Sequence, residues 1–294
     1  MPVISVNGQR LSYRQSGTGP TVIALHSTAS NSKQWKSLTA HLEGRYTVIT
    51  PDLPGYGRSD PWPEAGPANL NADANFIFAL MEERREPVHL VGHSYGASVA
   101  LKIAMTRPGW VRSLTIVEPA LFHVLRDSDA ADQRLFGDIA SVAGIVNAAV
   151  AEGEPHAGMA RFIDFWNGEG SWANSAQPLR ENFTAQVGQV INNFASAFGE
   201  RWNIKRARMI SCPTLAIMGL EGPACAQRVT EMLAENIPDA RLAIIPEAGH
   251  MAPLTDPHIV DPMIAGHMQA VDIGWAKVSK PAENENAFTL PIAA

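Results

Sequence analysis

The sequence predicts an α/β protein: a mostly parallel central sheet with helices on both faces, interrupted once by a helical insertion. Three observations carry that prediction. Short apolar runs bounded by Gly, Pro and Asp alternate with longer segments of helical period. A serine flanked by glycines follows directly on one of these runs and opens a segment of good helix formers. Between Phe122 and Arg208 the β-branched runs give way to stretches rich in Ala, Phe, Trp and Asn.

In chain order, Ile4 to Val6 and Leu11 to Tyr13 flank Asn7-Gly8, a pair that supplies the positive φ angles of a tight hairpin turn. Four strands of buried type follow, Val22 to Leu25, Tyr46 to Thr50, Val88 to Val91 and Leu114 to Val117. They are separated by helices predicted over Gln34 to Leu42, Ala72 to Glu83 and Ala97 to Met105. Two further strands, Thr214 to Met218 and Leu242 to Ile245, resume the pattern after the insertion, within which Leu179 to Phe198 has helical period. The expected division is a core over 1–121 and 209–270, a helical cap over 122–208 and a poorly ordered tail over 271–294, where Lys280 to Asn286 is strongly polar.

Composition limits the function. Over 294 residues, 46% are hydrophobic and 18% charged, enough apolar material for a large core and too few charges for wholesale disorder. The net charge of −6 and the lack of a long basic run exclude a surface that tracks phosphates, so no nucleic-acid partner is expected. No run of about 18 apolar residues is present, so no membrane partner is expected either. Cys212 and Cys225 lack the spacing of a zinc site and read as reduced thiols of a cytoplasmic protein. Neither a metal nor an organic cofactor is called for.

The chemistry centres on Gly92-His93-Ser94-Tyr95-Gly96. A sharp strand-to-helix turn needs small residues two before and two after its apex, and it holds the Ser94 hydroxyl out at the carboxyl edge of the sheet. A serine is a poor nucleophile at neutral pH and requires a base and a carboxylate to orient that base. His250, after the last strand and next to Gly249, is the candidate base. His89 falls inside a strand, His93 turns away if Ser94 faces out, and His258 and His267 fall in a terminal helix. Two carboxylates end strands at the same edge, Glu118 and Glu221. Glu118 lies against an apolar strand, where an unpaired charge is costly and a histidine partner compensates, whereas Glu221 sits in a glycine and proline turn. The backbone N–H groups of Tyr95 and Thr28 are the expected donors to a developing oxyanion, with His26 anchoring the loop that carries Thr28. Around Asn167, Gly168 and Gly170, the rings of Phe162, Phe165, Trp166 and Trp172 cluster. Phe165, Trp166 and Trp172, together with His26 and Ser27, are the candidates for the substrate pocket.

These pieces resemble the α/β-hydrolase superfamily over nearly all of the chain to about residue 270. The resemblance is carried by His26, the turn Asp52-Leu53-Pro54-Gly55-Tyr56-Gly57-Arg58-Ser59, the elbow at Ser94 and the late Gly249-His250, in that order. It implies the α/β-hydrolase fold, with Ser94 as nucleophile, His250 as base and residues 122–208 as a cap inserted after the sixth strand. Two positions depart from the common pattern. Ser27 stands where many members have Gly, and Gly222 where many have the acidic Asp. Some members, among them the haloalkane dehalogenases and certain lactone hydrolases, use instead a Glu just after the sixth strand, the place of Glu118, and this favours Glu118 over Glu221. A serine in the elbow argues against epoxide hydrolysis and dehalogenation, which use an aspartate there. The expectation is therefore a serine hydrolase of carboxylic esters or lactones with an apolar portion. A cofactor-free C–C hydrolase, perhydrolase or lyase on the same triad is the alternative, and a non-catalytic binding protein of this fold a further one.

Overall fold

The structure is a computed structural model and describes residues 1–61 and 69–278. Its sheet has eight strands: β1 (Val3–Val6), β2 (Gln9–Ser16), β3 (Thr21–Leu25), β4 (Thr47–Pro51), β5 (Val88–His93), β6 (Val111–Val117), β7 (Thr214–Gly219) and β8 (Ala240–Ile245). Their spatial order is β1-β2-β4-β3-β5-β6-β7-β8. The hairpin β1-β2 closes on Asn7 and Gly8, both at positive φ, with Val6 opposite Gln9. β2 pairs antiparallel with β4, and every pairing from β4 through β8 is parallel. The carboxyl ends of β3, β5, β6, β7 and β8 therefore share one edge, and strand order reverses beside β3, where a crevice opens in such sheets.

Both faces of the sheet are covered, which is why its central strands are apolar throughout rather than alternating. All five residues of β3 are buried: Ile23 and Leu25 join one core, and Val22 and Ala24 join another on the opposite face. The second face carries α1 (Lys36–Leu42) and the C-terminal helix, through Leu38, Leu42, Val260, Ile264 and Met268. The first carries α2 (Leu70–Arg84), capped by the Asn69 side chain, and α3 (Tyr95–Thr106), whose residues are nearly all buried. Both helices start earlier than their apolar pattern, since Leu70 and Tyr95 already form the first turn.

Between β6 and β7 the chain forms six helices, α4 (His123–Arg126), α5 (Ala130–Ala151), α6 (Pro155–Asn167), α7 (Ser171–Asn174), α8 (Gln177–Thr184) and α9 (Val187–Gly199). The helical period from Leu179 to Phe198 belongs to two helices, α8 and α9, parted at Ala185 and Gln186. By length and composition α5 could cross a bilayer, but its Ile139, Val142 and Val146 face is buried in the protein. After β7 come α10 (Ala224–Asn236), and after β8 α11 (Ala252–Thr255) and α12 (Pro257–Val278).

The expected start of the tail at Val271 is corrected by α12, which runs on to Val278. Asp272 explains why: its carboxylate accepts from the Tyr46 hydroxyl at 2.8 Å and His89 Nε2 at 3.1 Å, and pairs with Arg112 at 2.8 Å. These long-range partners tie the helix to the sheet and leave no trace in local periodicity. The polar stretch Lys280 to Asn286 lies outside the described residues.

Candidate active site

Ser94 sits at the apex between β5 and α3 with φ 53° and ψ −116°, a conformation that costs a non-glycine residue of order 1 kcal/mol or more. The surrounding backbone enforces it. The Ser94 N–H donates to the Val117 carbonyl at 2.9 Å, and the Ser94 carbonyl accepts from the amides of Ala97, Ser98 and Ala120. The flanking glycines are required by close approach: a Cβ on Gly92 would lie 2.5 Å from Ala97 Cα, and one on Gly96 would lie 2.4 Å from the Leu25 carbonyl oxygen.

Glu118 follows β6 with φ 42°, its amide bonded to the Ile217 carbonyl of the neighbouring strand. Its side chain is 1% exposed and both carboxylate oxygens are engaged. Oε1 accepts the Gly219 N–H at 2.8 Å, and Oε2 accepts Nδ1–H of His250 at 2.6 Å. With Nδ1 donating to a carboxylate, Nε2 is left as the proton acceptor, the tautomer a general base needs. Glu221, by contrast, lines an open cleft between α5, α6 and the β7-α10 turn, and its carboxylate has no bond to His250. The structure thus brings Glu118 and not Glu221 to the histidine.

His250 is 3% exposed and held from three sides. Besides Glu118, His93 donates from Nε2 to the His250 carbonyl at 2.8 Å, and the indole of Trp166 lies over the imidazole with centroids 4.2 Å apart. Burial holds His93 well below the usual histidine range, so the ring is neutral; its Nδ1 accepts from Gln34 Nε2 at 3.1 Å. The same Gln34 accepts at Oε1 from both the N–H and the hydroxyl of Ser27, each at 3.0 Å. The Ser27 amide is therefore turned from the cavity. Thr28 and Tyr95 also line that cavity, and their amides make no hydrogen bond among the described residues. His26 lies behind the loop as an anchor, donating from Nδ1 to the Ser27 carbonyl at 2.8 Å and accepting the Leu53 N–H on Nε2 at 2.9 Å. Burial pushes its pKa down to about 4, which keeps it in that neutral state.

Residues 20–257 match the α/β hydrolase fold family. The chain belongs to that family. Among its relatives is a lipase, LipV, of Mycobacterium tuberculosis, 36% identical over 110 residues, which are 37% of this chain and 41% of that protein. The first curated relatives are matched over only 33% of their length. Similar solved structures span nearly the whole fold. An esterase from Thermogutta terrifontis has a TM-score of 0.71 and 23% identity, over 92% of this chain and 97% of that one. An enol-lactonase from Burkholderia xenovorans has a TM-score of 0.74 and 18% identity, over 91% and 100%.

A cavity of about 130 Å³ is bordered by Ser94 and His250 on one side and by mostly apolar side chains of the helices between β6 and β7 on the other. Of the five pocket candidates, Ser27 and Trp166 line it, whereas His26, Phe165 and Trp172 do not. Phe165 faces the cleft that holds Glu221, on the other side of Trp166. The Trp172 amide donates to Asp164 and its ring meets His156, so it ties α7 back to α6. The sequence reading missed Phe122, Val190, Asn193, Phe194 and Ala197 as lining residues. The last four recur at i, i+3, i+4 and i+7 of α9, a stripe that period alone could have identified. Both cysteines are free and buried, and burial pushes each thiol up to about 12, so neither competes as a nucleophile.

Proposed function

We propose that this protein is a serine hydrolase that cleaves carboxylic esters or lactones through an acyl-enzyme on Ser94. One observation carries the reading: a buried carboxylate–imidazole pair, Glu118 Oε2 to His250 Nδ1 at 2.6 Å, at the floor of an apolar cavity that Ser94 also lines. His250 takes the Ser94 proton as the hydroxyl attacks the carbonyl, and Glu118 holds the imidazole and stabilises the imidazolium. The Thr28 and Tyr95 amides receive the oxyanion. His250 then returns the proton to the leaving alcohol or, in a lactone, to the ring oxygen, and water releases the acyl group by the reverse roles.

The cavity is close in size to one of about 150 Å³ that holds benzene. That favours an acyl portion of roughly six heavy atoms over a long lipid chain. The test is turnover of p-nitrophenyl butyrate by the wild type and by Ser94→Ala, with fluorophosphonate labelling of both. Turnover and labelling lost together in Ser94→Ala support the reading; a wild type that neither turns over nor labels overturns it.

A further inference from the structure

Asn193 is a polar residue on α9, 3% exposed, that lines the cavity among the apolar side chains Phe162, Val190, Phe194 and Ala197. Its amide oxygen accepts two hydroxyls, Tyr56 Oη at 2.5 Å and Thr28 Oγ1 at 3.0 Å. Two hydroxyls converging on one atom assign that atom as the amide oxygen. Oδ1 therefore faces the two hydroxyls and Nδ2 faces away. Among the described residues Nδ2 has no hydrogen-bond partner, yet it is not among the buried polar atoms sealed from solvent. For a side chain so little exposed, its opening is the cavity.

From this we infer that the Asn193 amide is a specificity donor, and that the preferred acyl group carries a second oxygen, an ether or carbonyl acceptor, close to the scissile carbonyl. The inference rests on the ester-hydrolase reading and deepens it. An apolar acyl chain would leave the amide facing hydrocarbon without its water, whereas an acceptor oxygen satisfies it. The reacting carbonyl has its own two donors in the Thr28 and Tyr95 amides, so the amide of Asn193 is available to another atom. The anchoring hydroxyl of Thr28 belongs to the oxyanion loop itself, which keeps this donor near the reacting end of the substrate.

A matched pair tests it: p-nitrophenyl methoxyacetate against p-nitrophenyl butyrate, which differ by an ether oxygen in place of one methylene. Each kcat/KM is divided by the ester's rate constant with hydroxide to remove intrinsic reactivity. The wild type is expected to favour methoxyacetate by about tenfold. Asn193→Asp keeps an acceptor for Tyr56 and Thr28 but has no donor, and should bring that ratio to one or below; Asn193→Leu should do the same if it folds. A wild-type ratio near one, with both esters turned over, overturns the inference and leaves the hydrolase reading standing. Equal losses on both esters in Asn193→Asp also overturn it, because the amide would then serve the reacting carbonyl. Failure to turn over either ester removes both readings. Should neither variant fold, the wild-type ratio alone decides.

Discussion

Replacing Glu118 by Gln should be far more damaging than its near-isosteric shape suggests. The Gly219 N–H needs an acceptor, and the position of Oε1 at 2.8 Å supplies it. A glutamine meeting that demand turns its amide NH₂ toward His250 Nδ1, where the carboxylate oxygen now lies at 2.6 Å. The histidine must then accept at Nδ1 and carry its proton on Nε2, which disables it as a base. The charge is lost as well. With charge centres about 4 Å apart and an effective dielectric constant near 20, the carboxylate stabilises the imidazolium by about 4 kcal/mol, or about a thousandfold in rate. The assay is kcat/KM on p-nitrophenyl butyrate for Glu118→Gln and Glu221→Gln, with circular dichroism to confirm folding. The expected result is a fall of about 10³ or more in the first and less than threefold in the second. A reciprocal experiment exploits Gly222, whose added Cβ would lie 3.1 Å from Glu118 Oε2 and 3.2 Å from the His250 amide. In a Glu118→Ala background, Gly222→Asp places a carboxylate beside the same imidazole and should recover at least tenfold. Loss in Glu221→Gln with retention in Glu118→Gln would refute the assignment.

Three further outcomes are expected. Burial raises the Asp73 carboxyl to about 8, so the folded protein holds a proton that the unfolded chain releases near pH 4; stability contributed through this group therefore falls as pH rises from about 4 to 8. At roughly 1.4 kcal/mol per pH unit, Asp73→Asn should gain up to about 4 kcal/mol over wild type between pH 5 and pH 8 in urea melts, and a pH-independent difference would contradict this. Gly96→Ala drives a methyl into the Leu25 carbonyl and should abolish turnover and lower stability by about 1–3 kcal/mol; a variant with wild-type activity would show that the elbow tolerates displacement. Asp272→Ala leaves the fully buried His89 and the Tyr46 hydroxyl without their shared acceptor and should cost about 2–3 kcal/mol, measured by urea unfolding with activity on p-nitrophenyl butyrate as control.

The parts of this molecule that are legible in its sequence are those set by local chemistry. Asn7-Gly8 dictates its turn whatever surrounds it, and Gly92 and Gly96 announce a close approach even though the atoms approached, Ala97 and Leu25, are seen only in the structure. Glu118 could be preferred over Glu221 because burial beside β6 makes an unpaired carboxylate expensive. What could not be read depends on long-range geometry. The rings of Phe162, Phe165, Trp166 and Trp172 are similar in the sequence, yet α6 sends Phe162 to the cavity and Phe165 to the neighbouring cleft, with Trp166 lining both. Trp172 belongs to the next helix and faces neither. A cluster in sequence is not a cluster on one face, and α6 is held in its phase by packing on α5, where a Cβ on Gly158 would lie 3.3 Å from Ala149 Cβ, and by the Phe162 ring against Phe194 of α9.

Ser27 shows how the same logic extends to the loop after β3. A glycine there would need no partner, but a serine brings a hydroxyl into a region that is 3% exposed, and its donor must be satisfied. Gln34 does so, and in accepting from Ser27 its amide is left with Nε2 pointed at His93, which relays the constraint to the His250 carbonyl. A chain of hydrogen bonds thus joins the loop after β3 to the loop after β8 that carries His250. From α9, Asn193 binds the same loop through the Thr28 hydroxyl. Ser27→Gly would remove one hydrogen bond of the chain while leaving the backbone N–H to Gln34 in place. Its expected effect is a modest loss of stability, about 1 kcal/mol, with a larger loss in kcat than in substrate affinity, because in the proposed mechanism the chain holds groups used in the transition state. A rise in KM with kcat unchanged would place Ser27 on the substrate side of the loop instead.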